Sequence, residues 1–143
     1  MKVLLKQEDY KKILNHAVSE LPNEACGLIA GTEEEGESDI VRRVEKVYLL
    51  TNTDHSNEHF ALDPKEQLAA VKDMRSLRLK LLGNWHSHPE SPSRSSDEDI
   101  RLAFDKNASY LILSLMERDR PVLRSFHVEG GVSTAEELEI CSI

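Results

Sequence analysis

The 143 residues are 39% apolar and 31% charged, the balance of a soluble globular protein long enough to bury one sizeable core. A formal net charge of -8, with no Lys/Arg block, argues against nucleic acid as a partner, because phosphate binding needs clustered positive charge. Two widely separated cysteines, Cys26 and Cys141, give neither a disulfide framework nor a metal-binding spacing. The apolar run in Met1–Glu8 is too short for a signal peptide, and no apolar segment reaches membrane-spanning length. The expectation is a cytoplasmic protein with no membrane partner.

From Gln7 to Leu21, apolar residues fall at Tyr10, Ile13, Leu14, Ala17, Val18 and Leu21, the stripe of an amphipathic helix that Pro22-Asn23 ends. Glu24 to Gly31 reads as a short buried strand, Thr32 to Ser38 as a polar loop, and Ile40 to Leu50 as a second strand in a hairpin with the first. Thr51 to His59 is polar and irregular, and Phe60-Ala61-Leu62 is briefly extended. Asp63 then supplies an N-cap, Pro64 a first helical residue and Glu66 a capping-box acid. The spacing predicts a helix to about Leu79 with Leu68, Val71, Met74 and Leu77 inward.

Leu81 to His88 is the next strand, and a helix starts at Ser96 with Ile100, Ala103 and Phe104 behind it. Tyr110–Leu115 and Val122–Val128 are two further strands around the charged turn Glu117–Pro121. The stretch after Gly130-Gly131, about 130–143, is acidic and weakly patterned, and no element is assigned to it. Without repeat or linker, residues 1–143 read as one compact domain of α/β type (α+β-like), a mixed, curved β-sheet flanked by helices.

His86 and His88 sit one residue apart at the end of a strand, so alternation points both imidazoles to one face. A carboxylate delivered from the following turn makes three ligands for a divalent metal and leaves a fourth position for water, the pattern of a catalytic rather than a structural zinc. Each residue also has an ordinary reading. A core histidine is usually a satisfied structural residue. Ser96-x-x-Asp99 can be a helix cap and nothing more, and Glu24 can be a solvated acid at the start of a strand.

Taken together, Glu24-Ala25-Cys26-Gly27-Leu28-Ile29-Ala30-Gly31, His86-Ser87-His88-Pro89 and Ser96-x-x-Asp99 resemble the JAMM motif of the MPN-plus domain metalloproteases. Seven residues, Glu90 to Ser96, separate Pro89 from Asp97, with Ser last and Asp99 three further on, so every motif position is filled. The resemblance extends from the N-terminal helix to the strand ending at Val128 and implies the MPN/JAB (cytidine-deaminase-like) fold.

It implies roles as well. His86, His88 and Asp99 would hold one Zn2+ per chain, Glu24 would act as general acid/base, and Ser96 would stabilise an oxyanion; Cys26 would merely pack. The implied activity is hydrolysis of the peptide or isopeptide bond after the C-terminal Gly-Gly of a ubiquitin-like protein, and in short prokaryotic members a sulfur carrier. Thr51–His59 and Glu90–Ser95 are the expected rims of a groove for that tail. A non-catalytic MPN scaffold and a zinc hydrolase of a small amide or amino-acid conjugate are the alternatives. Pairing into a homodimer is left open.

Overall fold

The computed structural model describes residues 1–103 and 105–142. In chain order the elements are β1 (Lys2–Lys6), α1 (Gln7–Ser19), β2 (Cys26–Glu35), β3 (Ile40–Leu50), α2 (Pro64–Ser76), β4 (Lys80–His88), α3 (Asp97–Leu102), β5 (Ser109–Ser114), β6 (Val122–Glu129) and β7 (Val132–Cys141). The strands close into a barrel in the order β1-β3-β2-β4-β5-β6-β7. Pairings of β1 with β3, β1 with β7 and β4 with β5 are parallel and the rest antiparallel. The mixed, curved sheet read from the sequence is therefore present, and it curves far enough to close.

Alternation along the central strands separates two apolar clusters. Ala25 and Ile29 of the β2 segment join Val3, Leu5, Val44, Trp85, Leu111 and Leu113 with Ile13 and Ala17 of α1. Leu28 and Ala30, on the opposite face of β2, pack under Ala70 and Met74 of α2. A side chain at Gly27 would strike the Tyr48 carbonyl and Trp85 Nε1, and that close approach lets Trp85 Nε1 donate to Tyr48 O at 3.1 Å. The small residues of this run are thus set by the indole crossing over them.

Three expectations need correction. Leu68 and Leu77 do not face inward but are 56% and 49% exposed. A run of i, i+3 steps drifts around a 3.6-residue helix; Val71 and Met74 keep their expected inward places, and Ala70 completes the face. Asp63 caps α2 through Lys65 N–H at 2.8 Å. Glu66, however, does not complete a capping box; its carboxylate accepts from Thr51 N and Oγ1 at 2.7 and 2.8 Å. Residues 132–141, assigned no element from sequence, form β7, which pairs with β6 and β1 and closes the barrel. The predicted position of Phe104 lies outside the described residues.

Candidate metal centre

The elements that carry the site are tied together by hydrogen bonds to main-chain groups. Trp85 and Ser87 face the larger core, so Asn84, His86 and His88 project from the opposite face of β4. Ser87 stitches β4 to the residue after Glu24: Ala25 N–H donates to Ser87 Oγ at 2.8 Å and Ser87 N–H to Ala25 O at 3.0 Å. The Pro/Ser loop is then tied down along β5. Ser93 Oγ donates to Ile112 O at 2.7 Å, Ser114 Oγ to Ser91 O at 2.6 Å, and Arg118 to Pro89 O at 2.7 Å. These anchors return the chain so that the first turn of α3 meets the end of β4.

The result is a triangle of side chains, with Asp99 turning a different oxygen to each imidazole. His86 Nε2 lies 3.1 Å from His88 Nε2 and 3.2 Å from Asp99 Oδ1, and His88 Nε2 lies 3.0 Å from Asp99 Oδ2. A tetrahedral zinc bonded at about 2.0–2.1 Å holds its donor atoms about 3.3 Å apart, close to each of these separations, although the two imidazoles approach different Asp99 oxygens. The ligand atoms of these three residues all lie within 4.8 Å of one another.

The protonation states of His86 and Asp99 agree with that use, whereas His88 must give up its proton to join them. Burial holds the His86 imidazole below its ordinary range, despite the Asp99 carboxylate beside it. Burial would also raise Asp99, but its bonds to both imidazoles, the His86 charge and the Ser96 N–H outweigh this and keep the carboxyl well below the usual carboxylate range. A neutral imidazole and an ionised carboxylate are the forms that bind a cation. His88 is lowered by burial but raised on balance by its bonds to Asp99 and Pro92 O and by the charges of Asp99 and Glu24. Its Nδ1 sits 2.9 Å from Pro92 O, the outward partner that orients a ligating histidine.

Glu24 is 3% exposed, and its Oε1 is buried without a hydrogen-bond partner among the described residues. Burial pushes its carboxyl up to about 8, against the charge of His88 and with that of Asp99 and Glu98. The solvated strand-start reading therefore does not hold: the acid is buried within reach of the histidine and aspartate charges. Ser96 is the exposed N-cap of α3, accepting from Asp99 N–H at 3.0 Å while its own N–H donates to Asp99 Oδ2 at 3.0 Å. Both halves of the capping box are made, and the cap uses Ser96 Oγ only as an acceptor, leaving its O–H to donate.

A cleft of about 360 Å³ opens beside the triangle, walled by Leu28, Phe60, Leu62, Leu102 and Tyr110. Its rims are displaced along the chain from those expected. Of Thr51–His59 only His59 reaches it, followed by Phe60–Leu62; of Glu90–Ser95 only Ser95 does, followed by residues of α3. Asn52 and Phe60 carry no spacing signal in the sequence; their roles come from tertiary placement. Cys26 is fully buried, and burial pushes its thiol up to about 12, so it packs and does not react.

A model of the family described as prokaryotic homologs of the JAB domain matches residues 6–128. The chain is 32% identical over 125 residues to a CysO-cysteine peptidase of Mycobacterium tuberculosis, covering 87% of this chain and 82% of the relative. It is 30% identical over 97 residues to a desampylase of Pyrococcus furiosus, covering 68% and 64% of the two. The solution structure of protein DSY2949 from Desulfitobacterium hafniense superposes with a TM-score of 0.87 at 48% identity, covering 100% of this chain and 94% of that one. With its barrel, its helices and its motif positions accounted for, the chain belongs to the prokaryotic homologs of the JAB domain.

Proposed function

We propose that this protein is a zinc-dependent peptidase that hydrolyses the bond after the C-terminal Gly-Gly of a ubiquitin-like carrier, with one Zn2+ per chain held by His86, His88 and Asp99. The enzyme is a hydrolase of the JAB family. The observation that carries the reading is the convergence of His86, His88 and Asp99, each pair in contact at 3.0–3.2 Å, near a buried glutamate whose Oε1 has no hydrogen-bond partner among the described residues. The CysO-cysteine peptidase and desampylase relatives support a ubiquitin-like sulfur carrier as the substrate class. A non-catalytic scaffold would have no use for a buried acid of this kind, whose burial costs stability.

When bound, the cation supplies Lewis acidity to the attacking water and the scissile carbonyl, and positive charge that favours ionised Glu24. Glu24 Oε1 takes a proton from the attacking water and delivers it to the leaving amine, a role suited to a carboxyl that burial makes unusually basic. Ser96 O–H donates to the oxygen on which negative charge develops. The backbone anchors of the Pro/Ser loop keep Asp99 in place throughout. The tail lies in the cleft between Phe60–Leu62 and α3, with apolar walls against the residues that precede Gly-Gly.

Incubating the protein with Gly-Gly carriers extended by one or a few residues, with and without chelator, and weighing the products tests this directly. Cleavage after Gly-Gly that stops on chelation and returns with zinc is expected. Glu24→Gln should retain zinc and lose about two to four orders of magnitude in kcat. Full turnover by that variant would show that another group moves the proton.

A further inference from the structure

The two ligand histidines are supported differently. His88 Nδ1 meets Pro92 O, whereas His86 Nδ1 is buried and has no hydrogen-bond partner among the described residues. A ligating histidine ordinarily donates its second N–H to a carbonyl or carboxylate, which fixes the ring. At His86 that fixing falls to an aromatic face: the Phe60 ring stacks on the imidazole with centroids 4.6 Å apart and planes inclined by 25°. Offset-stacked rings at this distance attract one another and resist rotation about χ2.

Phe60 lies on an irregular segment, and one side chain holds that segment in shape. Asn52 is 5% exposed and uses all of its hydrogen-bonding capacity locally. Its Nδ2 donates to Glu24 O at 3.0 Å and His59 O at 3.1 Å; its Oδ1 accepts from Asp54 N–H at 3.0 Å and Ala61 N–H at 3.1 Å. The backbone on both sides of Phe60 is thereby pinned. The same carboxamide grips the carbonyl of Glu24, whose N–H donates to Ser56 O at 2.7 Å, so both backbone groups of the proposed base are held by the segment that carries Phe60.

We propose that Asn52 and Phe60 form a positioning clamp: Phe60 fixes the ring of ligand His86 in place of the missing hydrogen bond, and Asn52 sets Phe60 and Glu24 in register. Neither residue touches the reacting atoms. The inference rests on the metal-centre reading above and adds to it a prediction about binding strength. If the stack replaces an orienting hydrogen bond, its loss carries the penalty of an outer partner, about tenfold to a hundredfold in metal affinity.

The test is zinc affinity by competition with a chromophoric chelator, with thermal melting alongside, on wild type, Phe60→Leu, Phe60→Tyr, Asn52→Asp and His88→Ala. Phe60→Leu should bind zinc at least about tenfold more weakly, and Phe60→Tyr, which keeps the ring, should bind like wild type. Asn52→Asp keeps the two acceptor contacts and loses both donations. It should weaken zinc and also lower kcat at saturating zinc, because Glu24 loses its anchor.

Wild-type zinc affinity in Phe60→Leu, even with a lowered Tm, would overturn the clamp, as would equal weakening in the Leu and Tyr variants. Should Asn52→Asp fail to fold, the Phe60 pair decides alone. Loss of zinc in His88→Ala with wild-type affinity in Phe60→Leu would refute only the clamp. Unchanged affinity in His88→Ala would refute the metal centre itself.

Discussion

Glu24 links the proposed chemistry of the site to the stability of the fold, and the link can be measured without substrate or metal. Its carboxyl titrates near 8 when folded, against an ordinary value of 4.5, because burial disfavours the charged form. The folded chain therefore keeps a proton that the unfolded chain has lost, and stability falls as pH rises across that window. The contribution is fully present below 4.5 and gone above about 8. At about 1.4 kcal/mol per pH unit, the whole loss is about 4–5 kcal/mol, a large share of the 5–15 kcal/mol typical of a domain. Glu24→Gln is the neutral counterpart of the protonated acid and should escape the loss.

Urea unfolding of chelator-treated protein at pH 5, 7 and 9 gives the comparison. The two proteins should be nearly equally stable at pH 5, and the variant should be more stable by about 3 kcal/mol at pH 7 and 4–5 kcal/mol at pH 9, with unchanged m. His86, His88 and Asp99 titrate in both proteins, so their contributions largely cancel in the difference. Parallel stability profiles across this range would refute the reasoning, since they would mean that Glu24 is solvated and ordinary.

Three further outcomes are expected. Elemental analysis of freshly purified, unchelated protein should give about one equivalent of zinc, and His88→Ala should lose it, because two protein donors hold an ion poorly. Ser96→Ala should lose about 1 kcal/mol with its cap and also lower kcat, whereas Ser96→Asp should keep a capping acceptor while replacing the hydroxyl donor by a negative charge beside Asp99; a fully active Ser96→Asp enzyme would leave Ser96 with the cap alone. Gly27→Ala should destabilise by more than about 2 kcal/mol, since its methyl meets the Tyr48 carbonyl and Trp85 Nε1; a thermal melt within a few degrees of wild type would contradict the packing described.

The site residues could be read in one dimension because their constraints are local. His86 and His88 share a face by strand alternation, and Ser96 and Asp99 share a helix turn. Glu24 drew notice as an acid on an apolar strand, although only the Ala25–Ser87 bonds explain why it sits beside the histidines. The strands β1 and β7 were hidden for physical reasons. Lys2–Lys6 is short, and its outer positions are half-exposed lysines and leucine. Along β7, Glu136 occupies an inward position where an apolar residue would have marked a strand, and there it accepts from Ser125 Oγ at 2.7 Å. Asn52 and Phe60 escaped because a polar irregular segment has no period, and its order comes from one carboxamide.

The pairing of β1 with both β3 and β7 has a kinetic consequence. Lys2 pairs with Val41 on one side and with Glu137 on the other, so one short strand joins near and distant parts of the chain. The first contact closes a loop of modest length, while the second must wait for nearly the whole chain to be ordered. Because loop-closure entropy precedes the reward of such contacts, the β1–β7 seam is expected to form last and open first. Among the described residues every strand is paired on both sides, so opening that seam creates the two unprotected strand edges that could recruit another chain. Amide exchange at Leu138 and Ile140 faster than at Trp85 and Leu111 would reveal such opening.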